Sequence, residues 1–205
     1  MIYTVVILSF LSIGNVLTEN SCMMESVFAT TCSFGGLILQ TEAMNANNNI
    51  SRILSDDNCN QQFHREDFLT SPNVKFEKAV PDVMYTLVMA DPDAVNILPN
   101  TTVLHWMVAN IKGSDFANGH LNDGLVVKRY HPPTPPPNSG IHRYQFTVYT
   151  QDKKLFGNIA HENRANFQLE SWLESTEQKL CGPVAGTQFR VQALTADQYQ
   201  AALKQ

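Results

Sequence analysis

Two stretches of this chain, Tyr85–Lys112 (YTLVMADPDAVNILPNTTVLHWMVANIK) and Gly140–Gln151 (GIHRYQFTVYTQ), share one construction: apolar strands that meet loops at ionisable residues. The almost continuous apolar run Tyr85–Ala90 predicts a strand buried on both faces. It runs straight into Asp91-Pro92-Asp93. A second strand begins at His105 and extends to Asn110. Simple alternation puts His105, Met107 and Ala109 on one side and Trp106 and Val108 on the other. In the later stretch His142 and Arg143 open a strand on which His142, Tyr144, Phe146 and Val148 share a face. Two acids, two histidines and an arginine therefore sit where a stiff apolar scaffold passes into loops, the usual setting of a small polar site. A pocket for a small anion is the expectation.

The remaining elements fit around these strands. Residues 15–60 are polar and loop-like, with a short apolar piece at Gly36–Leu39 and an exposed loop through Asn45–Asn49 and Ser55-Asp56-Asp57-Asn58. Val74–Phe76 and Leu125–Tyr130 are short strands, Lys112–Phe116 and Asn122-Asp123-Gly124 are turns, and Val184–Ala193 is a final strand. Leu169, Trp172, Leu173, Thr176 and Leu180 recur at helical spacing, so residues 163–180 are expected to form a helix that ends at Cys181-Gly182-Pro183. Thr195 is placed to cap a short helix over Ala196–Lys204. Between Leu125–Tyr130 and the strand opened by His142 lies His131–Gly140 (HPPTPPPNSG), in which five of ten residues are proline. That density stiffens the segment into a spacer or the rim of a site, and its X-Pro bonds are candidates for the cis form. The whole predicts a mostly-β domain with one or two flanking helices.

Length and charge narrow the function. The chain has 205 residues, enough for one substantial core, and a net charge of −5. That balance, without clustered Lys and Arg, argues against nucleic acid as a partner. Residues 1–14 carry an apolar run, Ile2–Ile13, too short to span a bilayer, with Ser12 and Gly14 as small residues before a cleavage point. They are expected to be a secretory signal, and no later stretch reaches transmembrane length. Cys22, Cys32, Cys59 and Cys181 are an even number in an oxidising setting, which predicts two disulfides. Sequence leaves all three pairings open. Their spacing lacks the close pairs of a zinc site. The domain plan is then a signal over 1–14, an irregular disulfide-tied segment over 15–72, and a β domain over 73–205. Asn49 and Asn100 each open a glycosylation sequon.

At LVMADPDA (87–94), HWMVANIKG (105–113), PPNSGIHRYQFTVYTQ (136–151), the segment Asn166–Leu180 and PVAGTQF (183–189), the chain resembles the phosphatidylethanolamine-binding protein family, and among its members the secreted, cysteine-containing ones. The resemblance implies an antiparallel β-sandwich with a small anion pocket at one end, lined by Asp91, His105, Pro136, His142 and Tyr144. Three departures stand out. Val95, Asn96 and Ile97 replace the family's Pro-Ser-Arg after DPDA, Val103 and Leu104 stand where Trp-His is usual, and Asn100 takes the place of a rim tyrosine. The pocket is therefore expected to be less aromatic and wider.

A phosphoryl group needs N–H and O–H donors. His105 and His142 can donate from ring nitrogens, and Tyr144 from its hydroxyl. Asp91 is better suited to fix a histidine tautomer or meet an ammonium. Arg143 lies on the opposite face from His142 and is assigned to a structural ion pair with Asp93. No Gly-x-Ser-x-Gly elbow or activated nucleophile stands beside these segments, so a binding protein without cofactor, metal or catalysis is expected. Its expected partner is a phospholipid headgroup or small phosphorylated ligand, with the protein monomeric. The alternative is a secreted module that inhibits a serine protease of the carboxypeptidase type.

Overall fold

A computed structural model describes residues 30–45, 48–156 and 163–202; the expected signal over 1–14 and Cys22 lie outside them. Among the described residues nine strands form two sheets. The small sheet joins β1 (Leu37–Asn45), β2 (Asn48–Leu54) and β4 (Asn73–Phe76) in the order β2-β1-β4, all antiparallel. The large sheet contains β3 (Gln62–Phe63), β5 (Met84–Asp91), β6 (Val103–Lys112), β7 (Leu125–Lys128), β8 (Ile141–Gln151) and β9 (Leu180–Gln192), in the order β3-β9-β8-β5-β6-β7. Its pairings are antiparallel except for the short β3–β9 contact. Among the described residues three α-helices flank the sheets: α1 (Gly113–Phe116), α2 (Leu169–Thr176) and α3 (Ala196–Ala202).

Two cores explain the hydrophobic patterning. Leu37, Leu39, Val74 and Phe76 of the small sheet pack against Leu87, Met89, Trp106, Val108, Tyr144, Phe146, Val148 and Phe189 of the large one. On the far side of the large sheet Val88, Leu104, Met107, Ala109 and Tyr149 meet Phe167 and, from α2, Trp172 and Leu173. The central strand β5 is covered on both faces, which is why it lacks polar alternation. A ring stack, Phe68–Phe189 at 3.7 Å and Tyr144–Phe189 at 5.3 Å, fills the first core beside the start of β8.

Several expectations need correction. The segment read as loop-like holds a long hairpin, β1–β2. Only one face of β1 is buried, so its polar half (Gln40, Glu42) disguised the strand. Disulfide Cys32–Cys59 closes this region on itself, and bridges from Gly35 and Gly36 to Gly186 fasten it to β9. Cys181 is also disulfide-bonded. The helix over 163–180 is confined to Leu169–Thr176, where Glu177 takes a left-handed C-terminal conformation. Leu180 and Cys181-Gly182-Pro183 open β9 instead. The cis peptide found is Gly182–Pro183, not one in the proline loop. The cap at Thr195 is as expected: Gln198 N–H donates to Thr195 Oγ1 (3.2 Å), and Thr195 N–H donates to Gln198 Oε1 (2.8 Å).

The alternation of β6 also fails at its first turn. Met89 pairs with Trp106 and Ala90 with Leu104, which makes His105 the extra residue of a β-bulge. Its ring is therefore not shared with Met107 and Ala109, which belong to the second core. It lies instead against Tyr144, with ring centroids 5.1 Å apart and planes perpendicular. A bulge cannot be seen in a period-two pattern, because it is the one residue that breaks the period.

Candidate functional site

The bulge, the end of β5 and the start of β8 come together at one end of the large sheet. Asp91 closes β5 and is 3 % exposed. Its Oδ1 accepts from the Asp93 backbone N–H at 2.8 Å, and its Oδ2 lies 2.8 Å from His142 Nδ1. His142 is fully buried, at 0 % exposure. Its other nitrogen, Nε2, is 2.7 Å from Ser139 Oγ, and Ser139 Oγ–H donates to the Pro136 carbonyl at 2.7 Å. A chain of contacts thus runs Pro136–Ser139–His142–Asp91. Pro136 takes part through its carbonyl, not its ring.

His105 is bound differently. Its Nδ1 lies 2.9 Å from the His131 carbonyl, which can only accept, so Nδ1 carries the hydrogen. Nε2 is then the lone-pair nitrogen of the neutral ring, and it makes no hydrogen bond. Burial is the main influence on this imidazole and lowers its pKa to about 4. The His131 carbonyl and the Asp91 charge oppose that effect without overcoming it. His105 is thus neutral near pH 7.

Tyr144 stands beside it, also 0 % exposed, with a hydroxyl that has no hydrogen-bond partner. Burial and the Asp91 charge push its pKa well above the ordinary phenol range. The Thr134 backbone lies near enough to favour the phenolate slightly, yet no hydrogen bond closes. A buried polar atom without a partner is uncommon and calls for a cause.

Asp93 and Arg143 form a separate pair on the neighbouring surface. Arg143 donates from Nε (2.7 Å), from the second guanidinium nitrogen (2.8 Å) and from its backbone N–H (2.9 Å). Burial alone would raise the Asp93 carboxyl, but the Arg143 hydrogen bonds outweigh it and hold it below the usual range.

Two participants were not singled out from sequence. Ser139 lies three residues before His142, a spacing that could have raised the question of a contact. Arg164 gave no local signal, because its partners are distant in the chain. It donates to the carbonyls of Leu104 (3.0 Å), His105 (2.9 Å) and Arg129 (2.8 Å), and its positive charge helps to lower His105 and His131. It fastens the bulge and places a cation behind the site.

Of the sequon positions, Asn49 lies in β2. Asn100 is exposed at φ 59°, and its carbonyl accepts from Gln168 Nε2 at 3.1 Å. Among the described residues no three His, Cys, Asp or Glu side chains are grouped to hold a metal ion, and no helix is long and apolar enough to cross a membrane.

A two-sheet β fold carrying an acid, two imidazoles and a phenol at one end defines a binding-module class in which a stiff scaffold holds a small polar site. The sequence profile of the family described as phosphatidylethanolamine-binding protein matches residues 41–186, and the chain belongs to that family. A curated relative, the "26 kDa secreted antigen" of Toxocara canis, is 33 % identical over 143 residues, which cover 66 % of this chain and 52 % of that protein. The chain thus spans about half the length of that relative. A phosphatidylethanolamine-binding protein from Plasmodium vivax has the same fold, with a TM-score of 0.54 at 18 % identity over 77 % of this chain and 85 % of that one. So has a carboxypeptidase Y inhibitor solved with its cognate proteinase, with a TM-score of 0.50 at 18 % identity over 78 % and 84 %.

Proposed function

We propose that this chain is a secreted binding protein that holds a small phosphorylated anion, of the phosphoethanolamine type, at the site framed by Asp91, His105, Pro136, His142 and Tyr144. The observation that carries this reading is the buried Tyr144 hydroxyl without a partner, next to a His105 whose Nε2 is also unbonded. A phosphoryl oxygen between them accepts from Tyr144, and its charge draws a proton onto His105 Nε2, which then donates as well. Arg164 adds a positive field from behind. Asp91 and His142 orient one another. His142 contacts the ligand only where a ligand oxygen replaces Ser139 Oγ at Nε2.

The Ser139–His142–Asp91 order resembles that of acyl-transfer triads. Here the serine hydrogen is directed to the Pro136 carbonyl and the histidine is sealed from solvent. Binding without catalysis is therefore the reading. Titration calorimetry with phosphoethanolamine tests it. His105→Ala should weaken binding by about tenfold or more, as expected for loss of a charged hydrogen bond. Equal affinity in wild type and His105→Ala would rule the site out.

Secretion is supported by the Cys32–Cys59 disulfide and by the name of the Toxocara relative. Expression of the full chain in eukaryotic culture should deliver protein to the medium that begins near residue 15, and retention in the cytosol refutes it. The second reading, inhibition of a serine carboxypeptidase, draws on the carboxypeptidase Y inhibitor whose fold this chain shares. Inhibition of such an enzyme that survives His105→Ala would place the activity on the protein's surface instead of in the pocket.

A further inference from the structure

The large sheet carries a concavity on the face opposite Tyr144. A cavity of about 60 Å³ lies between β5, β8 and the segment leading into α2, with Val88 and Ala90 as its apolar floor. Since a water needs roughly 10–15 Å³ of such space, it has room for a molecule of about four heavy atoms.

Its polar wall consists mainly of acceptors. Gln145 is 4 % exposed, and its orientation is fixed by a relay. Thr31 N–H donates to Gln188 Oε1 at 3.1 Å, so the Gln145 atom 3.0 Å from that same oxygen must be Nε2. That leaves Gln145 Oε1, on a side chain that lines the cavity, as an acceptor with no hydrogen bond in the protein. Thr147 and Tyr149, both buried, stand beside it on the same strand and line the cavity too. At the rim, the Glu170 charge reaches the Tyr149 phenol. The rings of Tyr149 and Phe167 join the lining, with Thr102, Gln168 and Leu169, and among the described residues no Lys, Arg or His contributes to it.

We propose that this cavity is a second binding site, for a small primary ammonium. An ammonium has three donors and no acceptor, the complement of Gln145 Oε1, the Thr147 and Tyr149 hydroxyl oxygens and the Glu170 carboxylate. Aromatic lining adds a further attraction for a cation that an acetate or an alcohol does not gain. The site is independent of the phosphoryl reading, because none of its lining residues belongs to that pocket.

The test follows backbone amide signals of Val88, Ala90 and Thr147 by NMR during titration with ethylammonium chloride, with sodium chloride and sodium acetate as controls. Saturable shifts with ethylammonium alone are expected. Glu170→Gln, a change at the partly exposed rim, should weaken the response about tenfold, as loss of one charged hydrogen bond implies. Gln145→Leu should weaken it as well, with a well-dispersed spectrum as the check that the variant is folded. No saturable shift, equal shifts with acetate, or unchanged affinity in Glu170→Gln would each overturn the proposal.

Discussion

Replacing Tyr144 by Phe should change stability and binding in opposite directions. The hydroxyl is fully buried and makes no hydrogen bond in the protein. Burial of such a group without compensation costs about 1–3 kcal/mol. Phenylalanine keeps the stacking on Phe189 and the edge contact with His105 and removes only the oxygen. The ligand-free variant should therefore be more stable by about 1 kcal/mol, the low end of that range. For a chain of this size this corresponds to a Tm higher by about 2–4 °C. Binding of phosphoethanolamine should weaken about tenfold or more, since a hydrogen bond to a charged group contributes about 1.5–3 kcal/mol. Thermal unfolding without ligand and titration calorimetry measure the two effects separately. A variant destabilised by about 1 kcal/mol would mean that the hydroxyl has a partner in the folded protein, and the argument from its isolation would fail. A more stable variant with wild-type affinity would mean that the hydroxyl is unpaired for a reason other than this ligand.

Other consequences follow from the same geometry. The folded-state pKa of His105, about 4, lies below its ordinary 6.5, so the folded protein resists a proton that the unfolded chain accepts. Its contribution to stability is complete above pH 6.5 and is lost as pH falls toward 4, by up to about 3 kcal/mol; denaturant unfolding across that range should show a slope that His105→Gln removes. Ser139 should not react with a fluorophosphonate probe at neutral pH, and stoichiometric labelling by mass spectrometry would reverse the reading of Ser139–His142–Asp91 as a brace. Arg143→Ala removes the two guanidinium donors of the Asp93 carboxylate and leaves only the backbone N–H of residue 143. A loss of about 1–3 kcal/mol in unfolding free energy is expected with little change in phosphoethanolamine affinity; a large affinity loss would show that this pair is part of the pocket.

How much of this was legible beforehand depends on whether the signal was periodic. The unbroken apolar run of β5 and the alternation of Tyr144, Phe146 and Val148 on β8 announced their burial, and both lie where expected. The Asp93–Arg143 pair could be anticipated because its members sit at strand ends. The hairpin β1–β2 was hidden because a strand buried on one face devotes half its positions to polar residues. The second core, with its cavity, depends on α2 crossing the back of the sheet, a packing decision that no local pattern encodes. Arg164 is tied to backbone carbonyls 35, 59 and 60 positions away, so nothing near it in the chain marks it.

The His105 bulge also separates two histidines that look equivalent in sequence. Both stand near the start of a strand and both approach Asp91, but their free valences differ. His142 has Asp91 on one nitrogen and Ser139 on the other and is closed to solvent, so it can act on a ligand only after a contact is given up. His105 has a single fixed partner, the His131 carbonyl, and keeps Nε2 without a hydrogen bond on a ring that packs perpendicular to Tyr144. Had β6 kept strict alternation, His105 would face Met107 in the second core, and Tyr144 would lose the edge contact with its ring. In the proposed reading the bulge supplies a neutral base that gains a proton when an anion arrives, while His142 holds the acid in place. Deleting Leu104, to restore a regular register, should turn His105 toward α2 and abolish phosphate-dependent protonation of its ring, observable as the loss of any shift in its NMR titration on adding phosphoethanolamine. Retention of that shift would show that the bulge is not what positions the ring.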